Sequence, residues 1–470
     1  KPVVALKVGR YASGQKAVAS HTGALAGSES AYEAAFRRAG VIRANTAEEL
    51  FDWARALAWC PLPKGPRVAV LTNAGGPGVT ASDALEASGL QLAALQPETL
   101  QALREFLPPA ASVQNPVDML AGASPQDYAR CLRLVLGDAG VDSVLVILPP
   151  PPMHAAGGVA RAIIPTIYAA RKPVLVAVMG ERMIREAVEY FRASHVVEYR
   201  FPERAAAALA VLTRRATFLA QAAAVPRRVL DVQPERVQRL LARVVGRESR
   251  APFFLPQQVM DEILAAYGLA TPGIGLAQTA EAAAALADEL GYPVALKVAS
   301  ADIPHKSDVG GVRLNLMTAA AVAAAFDEML AGVKTAVPEA AVDGIHVQRM
   351  IPQGQEVIIG AVQDPQFGPL VMFGSGGVEV EGLKDVDFAL APLSRAEAEA
   401  MIDRTWAGRK LAGFRSIPAA DREAVVEAIL RVGQLAADFP QLLEVEINPL
   451  RVLEVGQGAF AVDARARVTG

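Results

Sequence analysis

Short, almost wholly apolar runs punctuate the first half of the chain, over residues 1–9, 67–73, 143–148 and 173–178. Longer stretches with helical spacing of apolar positions lie between them. A strand that is apolar on both faces is covered on both faces, so this alternation predicts parallel strands with helices on either side of the sheet. The first run ends at Gly9, and helices are predicted near residues 27–39 and 46–59 with no second strand between them. The run at 67–73 enters Ala74-Gly75-Gly76-Pro77-Gly78, and a helix is predicted over 79–88. Residues 203–250 are rich in alanine and arginine and predict a helix followed by a solvated connection, because the basic run is interspersed with Glu and Asp. From about residue 251 a new unit begins: a helix through Glu262–Tyr267, another helix, and then an apolar strand, Val294–Val298, that carries Lys297 in its interior.

These signals divide the chain into residues 1–60, 66–215, a helical linker over 216–250, and 251–470. The stretch from Pro61 to Pro66 serves as a linker through its prolines and Gly65. The start lacks Met and has a single predicted strand. This predicts that residues 1–60 complete a larger α/β domain whose earlier strands precede them.

Composition narrows the function classes. At 470 residues, 52% hydrophobic and 20% charged, the chain has room for about three domains. A net charge of −3 predicts no nucleic-acid partner and no polybasic membrane anchor. No apolar run approaches about 20 residues and there is no signal-peptide pattern, so no membrane partner is expected and the cytoplasm is the expected compartment. Cys60 and Cys131 stand apart from any Cys/His cluster, which predicts reduced structural thiols and no zinc.

Candidate chemistry centres on two histidines. His21, within Ser20-His21-Thr22-Gly23, and His305, within Pro304-His305-Lys306-Ser307, sit among small and polar residues. A neutral imidazole can attack phosphorus without a separate base, and two such loops suggest a phosphoryl group handed along. The strand, glycine turn and helix around Asn73, Gly75, Gly76 and Gly78 form a layout in which unpaired N–H groups at a helix start face an anion. Tight packing explains the same glycines. Asn115-Pro116-Val117-Asp118 remains open between a turn and a functional segment. Glu444 and Glu446 alternate with Val445 and Ile447 and so share one face of a strand.

Both histidine segments resemble those of the ADP-forming acyl-CoA synthetases, relatives of succinyl-CoA synthetase, and the resemblance runs along nearly the whole chain. It implies flavodoxin-like, doubly wound parallel sheets followed by a two-lobed ATP-grasp domain, with a CoA-binding domain and the first half of a flavodoxin-like domain preceding residue 1. It implies that His21 is phosphorylated by an acyl phosphate and that His305 carries the group to the nucleotide. Asn73, Gly75, Gly76 and Gly78 would bind phosphate; Lys297, Gln348 and Glu356 would bind nucleotide; Asn448 and Asp463 would hold Mg²⁺. Ala389 departs from the family, many members of which have arginine there, which puts one phosphate or packing contact of the family in doubt and leaves the main constellation in place.

The implied reaction is the interconversion of acyl-CoA, ADP and phosphate with a carboxylic acid, CoA and ATP: an acid–thiol ligase whose small-molecule partners are CoA and a carboxylic acid, with a homodimer as the expected assembly. Two rivals were weighed. A non-catalytic regulatory module of a protein acetyltransferase often lacks the phosphorylated histidine, whereas His21 and His305 are both present. A carboxylate–amine ligase of the ATP-grasp type leaves residues 1–250 without a role.

Overall fold

The computed structural model describes residues 1–10, 28–221, 226, 228–229, 231–245, 251–300, 302–303, 306–376, 385–415 and 417–469. Contacts divide the chain into two compact units, Lys1–Ala26 with Phe36–Ala223, and Gly27–Ala35 with Ala224–Gly470.

In the first unit, a parallel sheet runs in the order Gln91–Leu92, Arg67–Thr72, Ser143–Leu148, Val174–Val178, Glu198–Tyr199. Its central strands are buried on both faces, as their unbroken apolar runs require. Helices Gly75–Ala87 and Pro202–Ala220 contribute to the core on one side, and helices Pro125–Gly137 and Ala156–Ala169 to the core on the other. The doubly wound expectation therefore holds.

Two local expectations are corrected. Residues 1–60 contain two strands, not one: Val3–Leu6 pairs in parallel with Val41–Ala44. The second strand is only four residues long, contains Arg43, and follows Gly40 at a helix end, so it carries no apolar run to announce it. The glycine-turn helix begins at Gly75 rather than 79. The first-turn N–H groups of a helix have no intrahelical partner, so Pro77 costs nothing there.

Asn115 acts as a clamp within the sheet. Its amide donates to the carbonyls of Val68 (2.8 Å) and Ala93 (2.9 Å), and its Oδ1 accepts from the Val70 N–H (2.8 Å). Asn115 thus bridges the sheet, which a plain turn would not require. Asn115→Ala should cost about 2–3 kcal/mol, because the Val70 N–H and the Ala93 carbonyl lose its amide together, while the Val68 carbonyl keeps only the Ala93 N–H. Chemical denaturation checks it, and a loss below about 0.5 kcal/mol would mean water replaces the amide.

The second unit holds two antiparallel sheets. One is four-stranded, in the order Ile274–Ala277, Gly344–Arg349, Val294–Ala299, Val312–Leu316. The other orders Val386–Leu390, Gly368–Ser375, Gln355–Asp364, Leu442–Val452, Ala464–Val468 and Phe253–Phe254, with Ala459–Ala461 beside Leu442–Val452. Helix Arg422–Asp438 covers the larger sheet, burying Val425, Ile429, Val432 and Leu435 in its core. Helix Pro234–Val244 also enters that core through Val237, Leu240 and Leu241, so the stretch read as a solvated connection has a buried apolar stripe. Ala389 is buried in the same core. Among the described residues, no helix is long and apolar enough to cross a membrane.

Candidate active site

His21 and His305 both lie outside the described residues, as do Gly377–Lys384 of the glycine-rich segment. The other candidate residues are described, in two places.

In the first unit, Gly75 and Gly76 are exposed at the helix start, and a Cβ at Gly76 would meet nothing. Gly78 is buried, and a Cβ there would come within 3.3 Å of Thr72 Cγ2 and 3.5 Å of Pro116 Cβ. Close packing thus explains Gly78, while Gly75 and Gly76 are exposed, with Asp118 Oδ2 3.4 Å from where a Gly75 Cβ would stand. Asn73, at the end of the strand, is 4% exposed, and its Oδ1 has no partner among the described residues.

In the second unit, register places Lys297 opposite His346 and Ala295 opposite Gln348. Directly opposed residues share a face, and so do residues two apart, so Lys297, His346 and Gln348 stand on one side of the four-stranded sheet. Lys297 Nζ and Gln348 Nε2 donate to the same acceptor, the carbonyl of Val462, each at 3.0 Å. Burial lowers the Lys297 pKa, and nearby Asp463 works in the opposite direction. A lysine inside an apolar strand thus has a partner, but one that is a backbone carbonyl and not an acid.

Val462 precedes Asp463, whose carbonyl accepts from the Asn448 N–H at 3.0 Å; the Val462 N–H donates to the Pro449 carbonyl at 3.1 Å. The two residues expected to hold a metal are thereby brought side by side. Asp463 is exposed and Asn448 half-buried. Glu444 and Glu446 share a face as expected, and Arg465 bonds to Glu446 at 2.7 Å and approaches Glu444 at 3.9 Å.

A cavity of about 540 Å³ is lined by Pro293, Met350, Ile351, Gln353, Glu356 and Arg451, among others. Glu356 faces it while paired to Arg451 at 2.5 Å, and Arg451 also donates to the Ile351 carbonyl at 3.3 Å.

Three neighbours escaped the sequence reading. Arg451 is one. His346, whose buried Nδ1 has no partner among the described residues, is pushed down to about 4 by burial and then by Lys306 and Lys297, so it is neutral near pH 7. Its signal was the alternation His346, Gln348 along an otherwise apolar strand. Asp261, on helix Gln257–Ala266, is pushed up to about 6, chiefly by burial. Its raised folded value means the native state binds protons more tightly than the unfolded chain, so stability falls as pH rises from about 4 to about 6 and stays lower above that. Asp261→Asn should therefore raise the melting temperature at pH about 8 and leave it nearly unchanged at pH about 4. Equal shifts at both values would assign the effect to packing.

Comparison with known proteins bears on the whole chain. Residues 250–468 match the family described as ATP-grasp domain, residues 1–57 the Succinyl-CoA ligase like flavodoxin domain, and residues 68–226 the Ligase-CoA domain. The acetate–CoA ligase (ADP-forming) I of Archaeoglobus fulgidus is 41% identical over 465 residues, which is 97% of this chain and 65% of that protein. The beta subunit of acetate–CoA ligase (ADP-forming) I of Pyrococcus furiosus is 42% identical over 204 residues, 43% of this chain and 87% of the subunit. The chain belongs to the ADP-forming acyl-CoA synthetase family. It spans less than two thirds of the length of the Archaeoglobus member. A solved family member, the dinucleotide forming acetyl-coenzyme A synthetase 1 of Ca. Korarchaeum cryptofilum, was captured with coenzyme A and Mg-AMPPCP, its phosphohistidine segment pointing towards the nucleotide binding site. That chain is 35% identical, with 51% of this chain and 100% of that chain covered and a TM-score of 0.43.

Proposed function

We propose that this chain acts as an ADP-forming acyl-CoA synthetase, interconverting acyl-CoA, ADP and phosphate with a carboxylic acid, CoA and ATP through a phosphohistidine relay. The observation that carries the reading is the convergence of Lys297 and Gln348 on the peptide that leads into Asp463. A strand ammonium beside paired oxygen side chains is what a nucleotide polyphosphate and its cation require.

In this reading the cavity bounded by Glu356 and Arg451 takes the nucleoside, and Lys297 meets the phosphates. Asn448 and Asp463 fit Mg²⁺: both offer hard oxygens, the backbone bond holds them adjacent, and Asp463 is exposed to a ligand. Mg²⁺ keeps several waters and leans on nucleotide phosphates, so two protein oxygens suffice, and when bound it neutralises charge on the transferring phosphoryl group. Neutral His346 adds no charge beside Lys297. In the first unit, the N–H groups of the exposed Gly75 and Gly76 would receive inorganic phosphate or an acyl phosphate. His21 takes the phosphoryl group from the acyl phosphate, and His305 delivers it to ADP.

CoA and a carboxylic acid are the proposed small-molecule substrates, and a homodimer the assembly. The cytoplasm suits two free cysteines whose thiols burial pushes up to about 12, which keeps both protonated and unreactive.

Calorimetric titration of the chain with ADP, with and without Mg²⁺, and separately with CoA, tests this. ADP should bind, and more tightly with Mg²⁺. Tight CoA binding with no nucleotide binding would overturn the assignment.

A further inference from the structure

The backbone through Asp463 is bonded on both sides. Its preceding peptide presents the Val462 carbonyl to Lys297 and Gln348, and its following peptide presents the Asp463 carbonyl to the Asn448 N–H. A peptide unit is planar, so holding the Val462 carbonyl holds the plane that carries the Asp463 N and Cα, and with the Asp463 carbonyl also held the two restraints together set φ and ψ at Asp463 and with them the direction of its Cα–Cβ bond. The two donors that fix it differ in kind. Lys297 carries a strongly hydrated ammonium on a flexible stem, which an incoming polyphosphate attracts. Gln348 is a short amide, 5% exposed, on the interior strand Gly344–Arg349, paired on both sides. A buried amide N–H stays with its acceptor, because leaving it unmade is costly.

We propose that Gln348 is a positioning residue for the cation: its amide holds the Val462 carbonyl, and through that peptide aims the Asp463 carboxylate, while Lys297 turns to the nucleotide. The proposal rests on the nucleotide reading above and deepens it, since Gln348 then acts on the metal side of the site and not on the base or sugar. The role needs the donor of the amide, not its length, so Gln348→Met, similar in reach but without N–H groups, removes it, as does Gln348→Glu, which sets an acceptor against an acceptor.

The test is ADP affinity by calorimetry for the unaltered chain and both variants, without divalent cation and with saturating Mg²⁺, alongside Mn²⁺ binding followed by electron paramagnetic resonance in the presence of ADP. Melting temperature identifies any variant that fails to fold, and the other variant then carries the comparison. The expected result is ADP affinity within about threefold of the unaltered chain when no cation is present, and a cation-dependent gain reduced about tenfold, with Mn²⁺ affinity falling in parallel. Loss of affinity by the same factor with and without cation would make Gln348 a direct nucleotide contact and overturn the proposal. So would an undiminished cation effect in a folded variant. No ADP binding by the unaltered chain would overturn the nucleotide reading itself, and this proposal with it.

Discussion

A His305→Ala chain incubated with Mg·ATP is expected to take up no phosphoryl group at His21, while its affinity for ADP stays within about threefold of the unaltered chain. The two histidines play different roles in the proposed relay. The proposed nucleotide side of the site draws on Lys297, Glu356, Asn448 and Asp463, all in the second unit, held among the described residues by bonds to Val462, to Arg451 and between the Asn448 and Asp463 backbones. Removing the carrier therefore cuts transfer and leaves binding. Both quantities are read on one preparation, the label by acid-labile, base-stable radioactivity and the affinity by calorimetry. Undiminished label would remove His305 from the relay; joint loss of label and affinity would give its segment a structural role.

Replacing Lys297 separates binding from stability. Lys297→Met should lower Mg·ADP affinity about 100-fold, the scale of a lost charge-assisted bond to phosphate. The same change should leave the melting temperature equal or higher. Burial disfavours the ammonium in the empty site, and an unbranched apolar side chain of similar reach carries no such penalty. A fall in affinity accompanied by an equal fall in stability would show that the Val462 bond, and not the nucleotide, is what the lysine serves.

How far these features were legible depends on the range over which each is determined. The strands at 67–72, 143–148 and 174–178 are buried on both faces but for the exposed Arg67 at one end, so their interiors are apolar and declare themselves. Val41–Ala44 is too short to show a period, and its strand state comes from its pairing with Val3–Leu6. The helix Pro234–Val244 has a charged outer face that dominates its composition and hides the three residues it buries. Lys297 stood out because a lone charge in an apolar strand needs a partner. The identity of that partner did not, since it is a backbone carbonyl 165 residues away. Arg451 lies 95 residues from Glu356 and meets it only because strands Gln355–Asp364 and Leu442–Val452 pair in that register. Asp261 has the sequence of a surface helix position; its raised pKa is a property of what packs over it.

Gln348 illustrates a different limit. The strand position was readable, and so was a polar residue facing the nucleotide side. Its amide bonds to the peptide before Asp463, an acceptor that the strand pattern did not announce and on which the proposed positioning role rests. Sequence pattern identifies the face of the sheet; only the three-dimensional register identifies the acceptor.

The central claim is phosphoryl transfer from nucleotide to histidine. Its most direct test is peptide mapping by mass spectrometry, under mildly basic conditions, of the unaltered chain after incubation with Mg·ATP. The account predicts a phosphoryl group on the peptide that contains His21, lost on brief acid treatment and absent when Mg²⁺ is chelated. A phosphoryl group confined to serine or threonine, or no phosphoryl group on a chain that binds ADP, would contradict it.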